Sequence, residues 1–259
     1  MKESIFPRSK PPVIEGLSVQ DVDQMIRFTR PAFGTSNWNT KAEARPMPYY
    51  FNLDKAMGSS DAKESGVFLD NFARHISSVI QHPFFRKTLG DQEPVLGYVC
   101  SMGAPSGIVQ LRSALSQRLD MASVLIFPEK RLLRSRVICN GDEDNLNFPE
   151  SVKWLWERHV LLLTDATTTG DSLASAKGVL KAFGASVLAA VAVYDREEGA
   201  ADSLDTVDIV LYPAYRASTF VMRRAQLNED KDLIEKIQKC TEKERIVVRD
   251  LSTVVAKAS

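Results

Sequence analysis

Apolar and polar positions alternate along the chain in a pattern that predicts short strands, each followed by a helix. The clearest unit begins with the unbroken apolar run 160–163, which is typical of a strand buried on both faces. After a polar stretch, apolar residues recur at helical spacing at Leu173, Ala176, Leu180 and Phe183. This unit is therefore predicted to be a central strand, a tight turn, and a helix that begins at residue 171 or 172.

The same alternation extends to both sides of this unit. Strands are predicted at 48–53, 94–100, 123–127, 159–164, 187–194, 207–212 and 245–249, helices at 18–30, 60–81, 107–119 and 229–240, and irregular polar segments at 31–45 and 128–149. Such alternation favours an α/β protein with a mainly parallel central sheet and helices on both faces. Because ligands of these sheets bind beyond the carboxyl ends of the strands, the loops after residues 100, 127, 163 and 194 are the candidate site loops.

Composition narrows the classes of function. The chain has 259 residues with 33 basic and 33 acidic side chains, so its zero net charge argues against binding nucleic acid through bulk charge. No apolar run is long enough to cross a bilayer, and no signal peptide is recognisable, so we expect no membrane partner. Cys100, Cys139 and Cys240 are widely spaced and suggest reduced thiols in a cytoplasmic protein. The three histidines show no ligand spacing and are predicted to be structural or surface residues. Trp154 and Trp156 are predicted to be packing residues.

The turn after the central strand carries the candidate chemistry. A single carboxylate, Asp165, is followed by three threonines and a glycine at 167–170, and then by a helix. Backbone N–H groups and partial positive charge converge at such a helix N-terminus and suit a phosphate monoester. Gly170 allows a positive φ and a close approach of the ligand to the backbone. Spacing alone leaves two interpretations open: a phosphate site, or one of the many strand-turn-helix junctions that bind nothing.

This stretch resembles the phosphoribosyl pyrophosphate (PRPP) motif of the type I phosphoribosyltransferases. That motif is an apolar strand, two acidic residues, two further residues and then Thr-Thr-Gly or similar. Asp165 matches the second acid, whereas Thr164 stands in place of the first and Ala166 in place of a larger aliphatic residue. The resemblance implies a metal at Asp165, directly or through water, and PRPP contacts from Thr164, Asp165, Ala166, Thr167, Thr168, Thr169, Gly170, Asp171 and Ser172.

The loop after residue 100 lies where this family has its pyrophosphate loop, which implies PRPP contacts from Gly103, Ser106 and Gly107. The orotate branch of the family commonly has a lysine where Ser106 stands. The alternative is an ordinary strand-to-helix turn that Ser106 caps.

Residues 128–136 resemble the start of the mobile loop of the orotate phosphoribosyltransferases. Lys130 matches one lysine of that loop, but Leu133 falls where the catalytic lysine belongs. The resemblance implies that Lys130 and Arg131 contact PRPP and that Lys130 and Arg134 act with Asp165 in catalysis. A solvated charged loop is the alternative interpretation of these residues.

Two more segments resemble the orotate branch. Residues 195–199, Asp-Arg-Glu-Glu-Gly, match at all five positions a segment whose arginine contacts the acidic base, which assigns that role to Arg196. Residues 45–52 resemble the family's N-terminal hood and place Tyr50 and Phe51 near the base, although Pro46-Met47 replaces Lys-Ser. A surface cation and a core strand, respectively, are the alternatives.

Together these marks cover about 41–200 and imply a divergent relative of the orotate phosphoribosyltransferases. The implied fold is the type I phosphoribosyltransferase fold in one domain, 1–259, with a small hood from 1–60 and the C-terminal segment around a core of 61–215. The implied reaction moves the phosphoribosyl group of PRPP to an acidic pyrimidine such as orotate, with Mg²⁺, in a homodimer.

The departures from the family pattern keep other functions open, because the residues at Thr164, Ser106 and Leu133 all remove charge. One possibility is an active enzyme that uses a different base or depends less on the missing lysines. A second is a PRPP- or nucleotide-binding regulator without catalysis, and a third is an unrelated nucleotide-binding α/β protein.

Overall fold

The computed structural model describes residues 12–14, 16–25, 29–31, 49–51, 53, 62–100, 105–128, 135–139, 154–228 and 250–258. Its strands are β1 (Thr29–Pro31), β2 (Tyr49–Phe51), β3 (Val95–Val99), β4 (Ser123–Phe127), β5 (Arg136–Cys139), β6 (His159–Thr167), β7 (Ser186–Asp195) and β8 (Leu211–Arg216). The last six form one sheet in the order β5-β4-β3-β6-β7-β8, in which only β4 and β5 are antiparallel. β1 and β2 form a separate antiparallel pair.

Helices cover both faces of this sheet. They are α1 (Val19–Met25), α2 (Ala62–Gln81), α3 (Pro83–Leu89), α4 (Pro105–Leu119), α5 (Asp171–Ala182), α6 (Ala200–Asp205), α7 (Ala217–Asn228) and α8 (Ser252–Ala258). The predicted α/β class, with a mainly parallel sheet between helices, is thus confirmed. No helix in the described ranges has the length and apolar character that crossing a membrane requires.

The central strand β6 joins two apolar cores. Leu161 and Leu163 pack with Phe72 of α2 on one face, and Leu162 packs with Leu180 of α5 on the other. All of residues 160–163 are fully buried, as the unbroken apolar run predicts. The predicted inner face of α5 is also confirmed, since Leu173, Ala176, Leu180 and Phe183 are all buried.

Several predicted bounds were wrong. β6 continues through Thr167, because the polar residues after the apolar run still pair with β7. The segment predicted to be irregular, 128–149, contains β5, and the strand predicted at 207–212 lies at Leu211–Arg216. The helix predicted to reach residue 30 ends at Met25, before β1. The helix predicted at 229–240 and the strand at 245–249 lie outside the described residues.

The first and last described segments contact the core. Ser18 caps α1, since its Oγ accepts a hydrogen bond from the backbone N–H of Asp21 at 3.3 Å and the Asp21 carboxylate accepts one from the backbone N–H of Ser18 at 3.0 Å. Leu17 donates its N–H to the carbonyl of Ala214 at 3.0 Å. At the other end Leu251 is buried, and α8 packs against α5. The division into hood and core stays a prediction.

Two tryptophans and two histidines outside the site make structural contacts. Trp154 packs against the core, but Trp156 is 58% exposed, so the packing role predicted for it was wrong. It lies over Gly184 at the surface, where that glycine leaves room for the ring. His75 is buried against the Tyr212 carbonyl at 3.3 Å, and His82 caps α3.

Candidate functional site

The turn between β6 and α5 has the geometry that the glycine predicts. Gly170 is the N-cap of α5 and has φ +83°, in the left-handed region. Its carbonyl accepts a hydrogen bond from Ala174 N at 2.9 Å, which closes the first helical turn. A Cβ at this position would lie 2.8 Å from Cγ of Leu204 in α6. Both the dihedral angle and the neighbour therefore demand glycine.

Asp165 lies within β6, near its end. One oxygen of its carboxylate, Oδ1, accepts a hydrogen bond from Ala166 N at 2.7 Å and one from the Thr164 hydroxyl at 3.3 Å. Thr164 is 3% exposed, so the position of the family's first acid is filled by a buried hydroxyl. A buried second carboxylate beside Asp165 would be costly without a cation. Asp165 is the single acidic side chain between residues 160 and 170.

The end of β3 faces Asp165. Burial raises the pKa of the Cys100 thiol to about 12, the negative charge of Asp165 adds to the rise, and Arg112 of α4 opposes it. A thiol with this pKa is neutral at physiological pH and is not an activated nucleophile. Because β3 and β6 pair in parallel with Tyr98 opposite Leu163, Asp165 lies beside the carboxyl end of β3.

The segment 195–199 continues from β7, beside the phosphate-type turn. Arg196 donates its backbone N–H to the carbonyl of Thr167 at 3.1 Å, which joins the two segments directly. Asp195 is 3% exposed, and burial raises the pKa of its carboxyl to about 6, although a hydrogen bond from Glu197 N at 2.9 Å opposes this rise. An acid that titrates near 6 at a strand end is a common feature of functional sites.

Arg196 lies in this acidic surrounding. Its Nη2 is 2.6 Å from Oε1 of Glu198, and the two side chains are 17% and 32% exposed. Burial lowers the pKa of the guanidinium, and the charge of Glu198 raises it. Its Nε is buried and has no hydrogen-bond partner among the residues that the structure describes.

Glu197 anchors the segment to the neighbouring helix. Its backbone is left-handed, with φ +56°, and its Oε2 accepts a hydrogen bond from Ser218 N, in the first turn of α7, at 2.6 Å. Arg223 of α7 in turn makes two hydrogen bonds to Asp23 of α1, at 2.5 and 2.7 Å. The segment that carries Arg196 is therefore fixed to α7, which is itself held to α1.

The structure brings together only part of the predicted site. Residues 164–172 are joined to Arg196 at Thr167, and Ser106 and Gly107 lie in the first turn of α4, which follows β3. Tyr50 and Phe51 are in β2, paired with β1. Gly103, Lys130, Arg131 and Arg134 lie outside the described residues. Glu197 and Glu198 lie in the recognised segment 195–199, but their contacts with Ser218 N and Arg196 were missed, because these contacts depend on the folded backbone.

The donor set at Asp165 fits a magnesium ion that is held mainly by its substrate. Mg²⁺ is usually bound through one or two carboxylates together with substrate phosphates and water. Asp165 supplies one half-buried carboxylate. Within the described ranges no group of three or more His, Cys, Asp or Glu side chains could form a metal cage of protein alone.

The comparisons with known proteins point in one direction. No protein-family model matches the chain. An orotate phosphoribosyltransferase of Pyrococcus abyssi is 29% identical over 160 residues, which are 60% of this chain and 79% of that protein. The crystal structure of orotate phosphoribosyltransferase from Aeropyrum pernix matches at TM-score 0.54 and 18% identity, covering 80% of this chain and 99% of that one.

A third comparison involves a longer protein. The structure of Leishmania donovani UMP synthase matches at TM-score 0.59 and 16% identity over 87% of this chain. That match covers 43% of the other chain, so the present chain spans less than half of that protein. At 18% and 16% identity, the two structural matches support the fold alone.

Proposed function

We propose that this chain, which is similar to orotate phosphoribosyltransferases and has the type I phosphoribosyltransferase fold, transfers the phosphoribosyl group of PRPP to an acidic pyrimidine such as orotate. The observation that supports this most is the hydrogen bond from Arg196 N to the Thr167 carbonyl. It sets a turn suited to phosphate beside an arginine suited to a carboxylate, as a substrate pair with these two groups requires.

In the proposed reaction a ring nitrogen of the base forms a bond to C1 of the ribose while the bond from C1 to pyrophosphate breaks. The backbone N–H groups and hydroxyls of residues 167–172 hold the 5′-phosphate at the N-terminus of α5. Asp165 accepts hydrogen bonds from the ribose hydroxyls. Arg196 holds the carboxylate of the base through charge-assisted hydrogen bonds.

Cations are needed where the pyrophosphate departs. We propose that Lys130, with Arg131 and Arg134, supplies charge to the leaving group, and that Asp165 holds Mg²⁺, directly or through water. When bound, the metal neutralises part of the pyrophosphate charge. Tyr50 and Phe51 of β2 are proposed to line the base site from the N-terminal side. The proposed assembly is a cytoplasmic homodimer, which light scattering of the purified chain tests.

A regulator that binds PRPP without turnover is the second candidate. It is favoured by the uncharged residues at Thr164, Ser106 and Leu133, because each stands where the family pattern has a charge. The enzyme is the better supported of the two, since Asp165, the glycine turn and all five residues of 195–199 are retained.

Release of pyrophosphate distinguishes the two candidates. The chain is incubated with Mg²⁺, PRPP and, in turn, orotate, uracil and a purine base, and pyrophosphate is measured by a coupled assay. We expect slow, Mg²⁺-dependent release with orotate that falls further in the variant Lys130→Ala. Tight PRPP binding without release from any base would establish the regulator instead, and fast orotate turnover unaffected by Lys130→Ala would refute the assignment of the mobile loop.

A further inference from the structure

Arg196 already has an anionic partner in the protein without ligand. Its Nη2 lies 2.6 Å from Oε1 of Glu198, which is the distance of a strong charge-assisted hydrogen bond. The left-handed backbone at Glu197 turns the chain between the two residues. The pair is therefore a local feature of this segment, and the carboxylate it holds is the chemical group that the proposed base would present.

Placing a second anion beside this pair would cost free energy, because the neighbouring side chains are acidic. Asp195 and Glu197 are acidic neighbours of Arg196, and the negative charges of Glu197 and Glu198 contribute to the raised pKa of Asp195. Arg216, at the paired position on β8, is the cation that opposes this effect. An arriving carboxylate would be a further negative charge in a site that is largely buried, where like charges repel strongly.

The guanidinium still has unused capacity to donate. Its Nε is buried and lacks a hydrogen-bond partner within the described part of the chain, although a guanidinium has five N–H donors in a planar fork. A buried donor without a partner is costly, and a ligand that satisfies it recovers that cost. A planar carboxylate can accept from Nε and Nη2 together, whereas Glu198 engages Nη2.

We propose, on the basis of the proposed function, that Glu198 is a specificity-determining residue. Glu198 pairs with Arg196 until a base that bears a carboxylate displaces it. It thereby excludes bases that have no carboxylate. A carboxylate replaces the charge of Glu198 and adds a hydrogen bond to Nε. A neutral base such as uracil offers no charge to compensate the broken pair. The alternative is that Glu198 stays paired and only orients Arg196.

The two roles predict opposite effects of removing the charge. Orotate, uracil and Mg²⁺-PRPP are titrated calorimetrically into the wild type, Glu198→Gln and the control Asp202→Asn, which removes an exposed carboxylate in the first turn of α6. We expect Glu198→Gln to bind orotate about three- to tenfold more tightly, to gain measurable uracil binding, and to bind PRPP as the wild type does. Asp202→Asn is expected to leave all three affinities unchanged.

Several outcomes would overturn this role. Weaker or unchanged orotate binding by Glu198→Gln contradicts displacement, and an equal gain in Asp202→Asn would indicate a general effect of charge. A crystal structure of the wild type with orotate gives a check without mutation, because Glu198 must have left Arg196. If PRPP binds but orotate binds neither protein, the inference and the base site fail while the PRPP site stands. If the wild type binds no PRPP, the proposed function itself is refuted.

Discussion

The ends of β6 and β7 lie side by side in the sheet, yet they present different chemistry. The end of β6 carries Asp165, the one carboxylate of 160–170, and is followed by hydroxyls, backbone N–H groups and a glycine. β7 ends at a buried acid, Asp195, and is followed by an arginine and two glutamates. In the proposed function the first segment would recognise an anion through the backbone and the helix dipole, and the second through paired charges.

This difference indicates what each segment tolerates. Recognition through the backbone is expected to tolerate changes of side chain, such as those at Thr164 and Ala166, and to depend on one dihedral angle at Gly170. Recognition through charge depends on single side chains and on how their neighbours are balanced. The predictions below test this contrast, from the largest expected effect to the smallest.

Gly170→Val is expected to abolish PRPP binding and to reduce stability by more than any other change considered. A β-branched residue tolerates φ +83° badly, and its Cβ would lie 2.8 Å from Leu204. Calorimetric titration with Mg²⁺-PRPP and urea unfolding measure the two losses.

Gly90→Val is the matched control for this variant. Gly90 has φ +57°, but no atom lies within 4 Å of the position that its Cβ would take, and it lies at the end of α3, away from the turn. This control should lose stability and keep PRPP affinity. Equal loss of PRPP binding in both variants would show that the turn has no special role.

Arg196→Ala is expected to weaken orotate binding by about 1.5–3 kcal/mol, the range for hydrogen bonds to charged groups, and to leave PRPP binding nearly unchanged. The control Arg216→Ala removes the same charge on β8, at the position opposite Asp195, and should cost much less. Titration with each ligand separately gives the comparison. Equal losses for orotate and PRPP would contradict a base-specific role.

Asp195→Asn tests the buried acid through the pH dependence of stability. The folded-state pKa of about 6 lies above the ordinary 3.8, so the folded protein holds its proton more tightly, and stability falls as pH rises from about 4 to about 6. Asn keeps an oxygen that can accept from Glu197 N but cannot ionise. We expect the variant to gain roughly 1–3 kcal/mol relative to the wild type across this window.

Urea unfolding of both proteins at pH 4, 5, 6 and 7 measures that gain. The gain should be smallest at pH 4 and constant above about pH 6. A difference between the proteins that does not change with pH would show that Asp195 has no raised pKa.

Glu197→Ala is expected to have the smallest effect, a loss of about 1 kcal/mol of stability, because the carboxylate caps the first turn of α7 through Ser218 N. Glu197→Gln keeps a carbonyl oxygen at the same place and should lose less. Thermal unfolding compares them. Identical midpoints for the wild type and Glu197→Ala would mean that this contact contributes nothing.

The sequence predicted the elements whose patterns are long and apolar. The strand at 123–127 and the helix at Asp171–Ala182 were placed closely, because burial on both faces and helical spacing leave clear signals. β5 was missed because it has four residues and begins with an arginine. β8 was displaced because Pro213 lies within it, and proline is tolerated there at the outer position of the described sheet.

The candidate site likewise has parts that the sequence predicted and parts that it did not. The glycine turn and the five-residue segment were recognisable, since their spacing in sequence carries the chemistry. The continuation of β6 through Asp165 was not, because it depends on pairing with β7, for example Thr167 with Asp195. The pair of Arg196 and Glu198 depends on the left-handed backbone of Glu197, which has no signal in the sequence.

The most direct test of phosphoribosyl transfer is a single-turnover reaction. Excess protein is mixed with limiting PRPP, Mg²⁺ and orotate, quenched at intervals, and the products are identified by mass spectrometry. The account predicts loss of PRPP together with equal amounts of pyrophosphate and a nucleotide that joins orotate to ribose 5-phosphate. Recovery of intact PRPP and orotate after many hours, from protein shown by titration to bind both, would contradict it.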